Sequence, residues 1–236
     1  MQIEPLGDSA LIVRVADEFA RDPEESLSAV LAALRALEAA AIPGVIELAP
    51  AYTTVAVFFD AAQVVPDGAA QPLFDWLQTK IENALKRRPA VPKPKSEPAA
   101  IEVPVCYEGE FAPDLAEVAR HAGLSEDEAV RLHSSASYRV TCVGFTPGFP
   151  FLSGLPPELA TPRRATPRKE IPAGAVGIGG AQTGIYPRKS PGGWNLIGRT
   201  ALRLFDVQRE PPALFHAGDH VRVRKISRKE FDALSR

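Results

Sequence analysis

The chain has 236 residues, 45% hydrophobic and 24% charged, with a formal net charge of −2. That is enough for one large domain or two small ones around an ordinary core. The near-neutral balance argues against a dedicated nucleic-acid binder, and no apolar run approaches the ~20 residues of a membrane span.

The N-terminus has no basic region followed by an apolar stretch, so a cytoplasmic location without a signal peptide is expected. Cys106 and Cys142 sit in apolar, β-like runs without metal-ligand spacing and are expected to be reduced structural thiols. Ile3 to Val15 predicts two short strands around a Gly7-Asp8-Ser9 turn. Asp22-Pro23-Glu24-Glu25 then opens a helix, with Asp as N-cap, Pro in the first turn and acids against the dipole. Leu27, Val30, Leu31 and Leu34 form its apolar stripe, and Pro43-Gly44 ends it. Strands are predicted at Val45 to Leu48 and Tyr52 to Phe59, and a second helix over Gln71 to Arg88. Two amphipathic helices on a small antiparallel sheet predict an α+β domain over 1–88, of the ferredoxin-like sort. Residues 89–98, with four prolines and two lysines, predict an extended linker.

The second half predicts a mainly-β domain over 99–226 and a helical tail over 227–236. Ile101 to Tyr107 reads as a strand, with Pro104 suggesting an edge or bulge. A helix over Pro113 to Ala122 stops at Gly123, and Ser125 with Glu128 forms a capping box for the next. Short strands follow at Tyr138 to Phe145, Ala175 to Gly179, Gly184 to Tyr186, Trp194 to Ile197, Ala201 to Phe205 and His220 to Ile226. Such a series predicts a closed or nearly closed barrel.

Gly144 to Arg199 is the distinctive stretch. It holds 11 of the 17 glycines and nine of the 23 prolines, with seven Lys or Arg against Glu158 and Glu170. A turn-rich, basic surface of this composition is a candidate anion receptor. No complete active site can be assembled from the residue pattern. GGAQTG and SPGGW are followed by neither the lysine of a P-loop nor a helix; there is no G-x-S-x-G elbow, and the four histidines show no metal pattern. What remains is a set of donors. Arg163, Arg164 and Arg168 could hold carboxylate or phosphate. Thr146, Gln182, Thr183, Asn195 and the backbone at Gly192 and Gly193 could hold a carbonyl or oxyanion. His133 and Tyr138 could move protons, making them catalytic candidates alongside Arg164 and Arg168. Phe149, Tyr186 and Trp194 have the composition of an interface core.

HSSASYRV (133–140), GFTPGFPFLSGLP (144–156), TPRRATPRKEIPAGAVGIGGAQTGIYP (161–187) and SPGGWNLIGRT (190–200) closely resemble the family of the 5-oxoprolinase B subunit, also called allophanate hydrolase subunit 1 or the sporulation kinase A inhibitor family. GDSAL near the N-terminus, PAYTT at 50–54 and HAGD at 216–219 extend the likeness over essentially the whole chain. The resemblance implies a cyclophilin-like barrel in the C-terminal half. It also implies two partners, a paralogous barrel subunit (the C component) and a third subunit (the A component). Together the three cleave 5-oxo-L-proline to L-glutamate with ATP hydrolysis. ATP is then bound by the complex, in a subunit the residues do not identify. Two rivals remain open: a urea or allophanate carboxyltransferase-like subunit, and an inhibitor of a sensor histidine kinase. No biotin-attachment segment accompanies the first.

Overall fold

In the computed structural model, residues 1–19, 21–64, 72–87 and 99–235 are described. The chain divides into two compact units, residues 1–95 and 96–236. The predicted linker at 89–98 lies outside the described residues.

In the first unit, β1 (Gln2–Pro5) and β2 (Ala10–Arg14) lead into α1 (Pro23–Ala40), followed by β3 (Val45–Ala51), β4 (Thr54–Phe59) and α2 (Leu73–Lys86). The Asp22 carboxylate accepts the Glu25 N–H at 2.9 Å, so the predicted cap forms. The buried stripe of α1 runs through Leu27, Val30, Ala33, Ala36 and Leu37, leaving Leu31 and Leu34 half-buried. Small alanines let this helix lie close to the sheet, where Leu11, Val13, Val55, Val57 and Phe59 face it. From α2, Trp76, Leu77 and Ile81 complete the same core. Each fully buried side chain of this size stabilises by roughly 1.5–3 kcal/mol relative to exposure.

The sheet order is β1-β2-β4-β3, antiparallel throughout. The α+β class is as expected, but the order of elements is ββαββα. A ferredoxin-like unit runs βαββαβ; here the first two strands pair directly as a hairpin, because Gly7, at φ 65°, turns the chain back at once.

The second unit is a closed, mixed barrel of seven strands: β5 (Ile101–Cys106), β6 (Ser137–Val143), β7 (Pro150–Ser153), β9 (Ala175–Gly179), β10 (Gln182–Ile185), β12 (Asn195–Arg199) and β13 (His220–Ile226). Going round, the order is β6-β13-β5-β12-β9-β10-β7, and β7 closes on β6. The β13–β5 pair is parallel, with Val221 opposite Ile101 and Ile226 opposite Cys106. Pro104 is therefore not on a free edge. It tolerates its place because β12 meets β5 only at Arg199–Cys106, so the missing N–H breaks no ladder there.

Two helices, α3 (Leu115–Ala122) and α4 (Glu126–Ser135), join the barrel core through Leu115, Val118, Ala129 and Val130. Gly123 adopts φ 69° at the end of α3, and the Ser125–Glu128 capping box is present in full. The strand predicted at Ala201 to Phe205 is irregular instead, with one bridge from Phe205 to Ala213. A short two-stranded antiparallel sheet of β8 (Arg168–Ile171) and β11 (Ser190–Gly192), which the sequence pattern did not reveal, lies apart from the barrel ladder. The tail forms α5 (Arg228–Leu234), capped by Ser227, which accepts the Glu230 N–H.

Candidate functional site

The glycine-rich stretch builds an aromatic cluster. Phe149, Tyr186 and Trp194 form a second small core with Ile171, Ala175 and Leu196, with Phe151 packed against it. Their rings meet edge to face: Phe149 and Tyr186 centroids are 5.1 Å apart, Phe149 and Trp194 5.6 Å. Each ring rests on a glycine. A Cβ at Gly179 would stand 2.6 Å from the Trp194 indole, one at Gly184 2.9 Å from Phe149, and one at Gly192 2.5 Å from the Tyr186 hydroxyl. Any side chain at these positions would lift a ring off its strand. Gly179 and Gly184 of GGAQTG and Gly192 of SPGG therefore seat aromatic rings, whereas Gly180, at φ 67°, turns the chain; the predicted oxyanion role of Gly192 gives way to packing. Gly193 differs, since a Cβ there would meet nothing nearer than Pro167, at 3.6 Å.

The candidate interface residues are accordingly buried: Phe149 2% exposed, Tyr186 2% and Trp194 5%. They form walls of a cavity of about 230 Å³, with Arg163, Arg164 and Gly193 also lining it. At its edge stands Phe145, 64% exposed and at φ 64°, a backbone conformation that L residues with large side chains rarely adopt. Burial raises the Tyr186 phenol above its ordinary pKa, partly offset by a backbone hydrogen bond at Trp194 and by the nearby Arg163 and Arg168 cations.

Of the three arginines expected to be free anion ligands, two are not. Asp114, 4% exposed at the start of α3, accepts from Arg164 Nη1 at 2.8 Å and from Arg168 through two bonds of 2.8 Å each. Its Oδ2 also accepts the Leu196 N–H at 2.7 Å, while its own N–H donates to the Leu196 carbonyl at 2.9 Å. The carboxylate is thus surrounded by donors and fixes both guanidinium groups. A bidentate arginine fork on a buried carboxylate is among the strongest side-chain pairings available. Arg163 is different: it is exposed, makes no ion pair among the described residues, and holds its guanidinium 5.8 Å from the centre of the Trp194 ring.

The proton-transfer candidates lie inside the barrel. His133 is 1% exposed and Tyr138 0%. The Thr183 hydroxyl donates to the Gly177 carbonyl at 3.0 Å, so the 3.1 Å contact from His133 Nε2 is a donation to Thr183. His133 Nδ1 then accepts from the Tyr107 hydroxyl at 2.7 Å. The Tyr138 hydroxyl donates to the His133 carbonyl at 2.7 Å. Burial alone lowers the His133 pKa to about 3 and raises that of Tyr138. This is a satisfied internal network holding α4 to the barrel, and neither residue reaches the aromatic cavity. His133, Tyr138 and Thr183 are corrected from catalytic or binding candidates to core residues. Asn195, 3% exposed, is likewise structural: its amide donates to the Pro162 and Ile178 carbonyls.

Gln182 stands at the start of β10 opposite Gly179, and Thr146 lies in the loop that carries Phe145, its Oγ1 buried without a hydrogen-bond partner among the described residues. Cys106 and Cys142 are buried thiols that are not joined in a disulfide. Among the described residues no cluster of three His, Cys, Asp or Glu could hold a metal, and no helix is long and apolar enough to cross a membrane. The residue that sequence reasoning missed is Asp114. Its position after Pro113 at a helix start resembles an N-cap, yet its side chain makes no capping bond.

The sequence model of the carboxyltransferase domain, subdomains C and D, matches residues 1–215. The B subunit of 5-oxoprolinase from Bacillus subtilis (strain 168) is 43% identical over 235 residues, covering 98% of this chain and 95% of that protein. The protein of the same name from Escherichia coli O157:H7 is 45% identical over 181 residues, 77% of this chain and 78% of its own. Among solved structures, TTHA0988 superposes with a TM-score of 0.76 at 35% identity over 93% of this chain. This chain spans 40% of that one.

Proposed function

Because the chain belongs to the family of the 5-oxoprolinase B subunit, within the carboxyltransferase domains of subdomains C and D, we propose that it is part of a 5-oxoprolinase complex that cleaves 5-oxo-L-proline to L-glutamate with ATP hydrolysis. The observation that carries this reading is the end-to-end match, 98% of this chain against 95% of the Bacillus subtilis protein at 43% identity. Its partners in that complex are the paralogous barrel subunit and the third subunit.

The site inventory supports a partial site that partners complete. A lactam carbonyl is a poor electrophile, and ATP supplies the phosphoryl group that activates it. On this chain Gly179, Gly184 and Gly192 of the glycine-rich motifs are covered by aromatic rings, and Arg164 and Arg168 are occupied by Asp114. These residues do not fit a nucleotide, and we place its binding outside these turns. What this chain offers is a rigid aromatic cavity with one unpaired cation beside it, suited to holding a small substrate in place rather than to proton transfer.

The test is reconstitution. The two purified partner subunits from the same genome are assayed for ATP-dependent glutamate release with and without this chain, and size-exclusion chromatography follows complex formation. The proposal expects activity only when this chain is present, none from the chain alone, and co-elution with the paralogous barrel subunit. Full activity without it, or turnover by the isolated chain, overturns the reading.

A further inference from the structure

We propose that the aromatic cavity is the seat of a small carboxylate carrying a flat, uncharged ring, with Arg163 as its carboxylate ligand. Under the function proposed above, on which this inference rests, that ligand is 5-oxoproline. Four observations point the same way. The cavity is small, about 230 Å³, which suits a single five-membered ring and is too tight for a nucleotide. Its walls are apolar π faces and edges from Phe149, Tyr186 and Trp194, against which the methylene face of a small neutral ring packs. These walls are fixed in advance, since each ring is backed by a glycine strand position, so little ordering entropy is lost when the ligand enters.

The fourth observation is charge. Arg163 lines the cavity, is exposed, and makes no ion pair among the described residues. Its neighbour Arg164 is tied to Asp114 through Nη1. The two consecutive arginines thus divide the work: one anchors the wall and the other faces the ligand. The Trp194 ring beside the Arg163 guanidinium keeps it near the mouth without neutralising it. A planar guanidinium is the group best matched to a carboxylate. Gly193 completes the arrangement, because the absence of a side chain there leaves the wall open.

The test uses two ligands and two variants in the full chain. Tryptophan emission is followed in a Trp76→Phe background, which leaves Trp194 as the single reporter of the two tryptophans. 5-Oxoproline should quench it saturably, and 2-pyrrolidinone, the same ring without the carboxylate, should bind at least tenfold more weakly. Arg163→Ala should erase that preference, and Gly193→Leu should fill the cavity and abolish binding of both. In the reconstituted complex, Arg163→Ala should raise KM for 5-oxoproline at least tenfold while co-elution with the paralogous barrel subunit is unchanged; this measurement decides if the isolated chain binds too weakly to titrate. An unchanged KM in an active complex that needs this chain overturns the inference and leaves the proposed function standing. Equal affinity for the two ring compounds overturns it as well. So does loss of co-elution on Gly193→Leu with KM unaffected by Arg163→Ala, which would make the cavity a protein interface. Activity without the chain removes the proposed function instead, while the titration stands by itself.

Discussion

The indole of Trp194 lies directly against the backbone of Gly179, 15 residues earlier in the chain, in the space a Cβ would need: such an atom would be 2.6 Å from Cε2 and Nε1. The pair is brought together by β9 and β12, where Asn195 stands opposite Ile178. Gly179 has no positive φ, so its value here is steric and not conformational.

Gly179→Ala is expected to cost about 1–3 kcal/mol, the usual range for overpacking a rigid core. Gly193→Ala, whose Cβ would meet only ordinary contacts at 3.6 Å and beyond, should change stability by less than about 0.5 kcal/mol. Urea unfolding of the two variants checks the contrast. Equal midpoints would show that the ring yields and that the seat is not rigid.

Arg168 and Arg164 should act on stability before they act on turnover. Arg168 makes the bidentate contact with Asp114, and lysine retains the charge but not the fork. Arg168→Lys should lower unfolding free energy by about 1.5–3 kcal/mol, the range for hydrogen bonds to a charged group. Arg164, more exposed, with a single bond, should lose less. Removing the acceptor is expected to be worst: Asp114→Ala leaves two arginines without their counter-charge, at a cost of about 3–5 kcal/mol. Denaturation curves combined with kcat/KM in the complex separate the readings. Unchanged stability with a large kinetic defect would make these arginines substrate ligands.

His133 should make the protein acid-sensitive. Its folded pKa is lowered to about 3 from 6.5 by burial, so the unfolded chain takes up a proton that the folded one refuses. Stability from this group is full above pH 6.5 and falls, by about 1.4 kcal/mol per pH unit, as pH drops from there toward 3. Between pH 6.5 and pH 5 that amounts to about 2 kcal/mol. His133→Gln keeps a donor and an acceptor but does not titrate, and its loss of stability over this interval should be smaller by that amount. An identical pH slope in both proteins would show that His133 is not the responsible group.

Limited proteolysis should cut within 89–98 first and leave two resistant fragments, one around each of the two compact units. We propose this from the proline-rich composition of the segment, which disfavours packing. Cleavage scattered through 144–199 would contradict both the boundary and the rigidity of the aromatic cluster.

Where the controlling interaction is local, the sequence was a good guide. Asp22, Gly123 and the Ser125–Glu128 box sit where their spacing predicted, because a cap involves residues three or four apart. The barrel class followed from short apolar runs between turns. The site was far less legible. Asp114 and Arg168 are 54 positions apart, and nothing in a count of cations shows which of them has a buried partner. Glycine is ambiguous in the same way: a turn and a seat for an aromatic ring both require that Cβ be absent, and only the pairing of β9 with β12 tells them apart. At a helix end, His133 could be read from the sequence as a proton carrier or as a structural residue, and only the fold shows that the barrel interior begins there.

The parallel pairing of β13 with β5 has a consequence for synthesis. β13 is the last strand, yet its place in the ring is between the first strand of the unit and β6. As the chain leaves the ribosome, at about 5–20 residues per second, six strands can be present while the wall still gapes on that side. The edges of β5 and β6 then stay unpaired until residues 220–226 arrive, and open edges invite pairing with other chains. A nascent chain stalled before His220 should therefore expose strand edges to chaperones and aggregate on release, although every residue of the aromatic cavity has already been made.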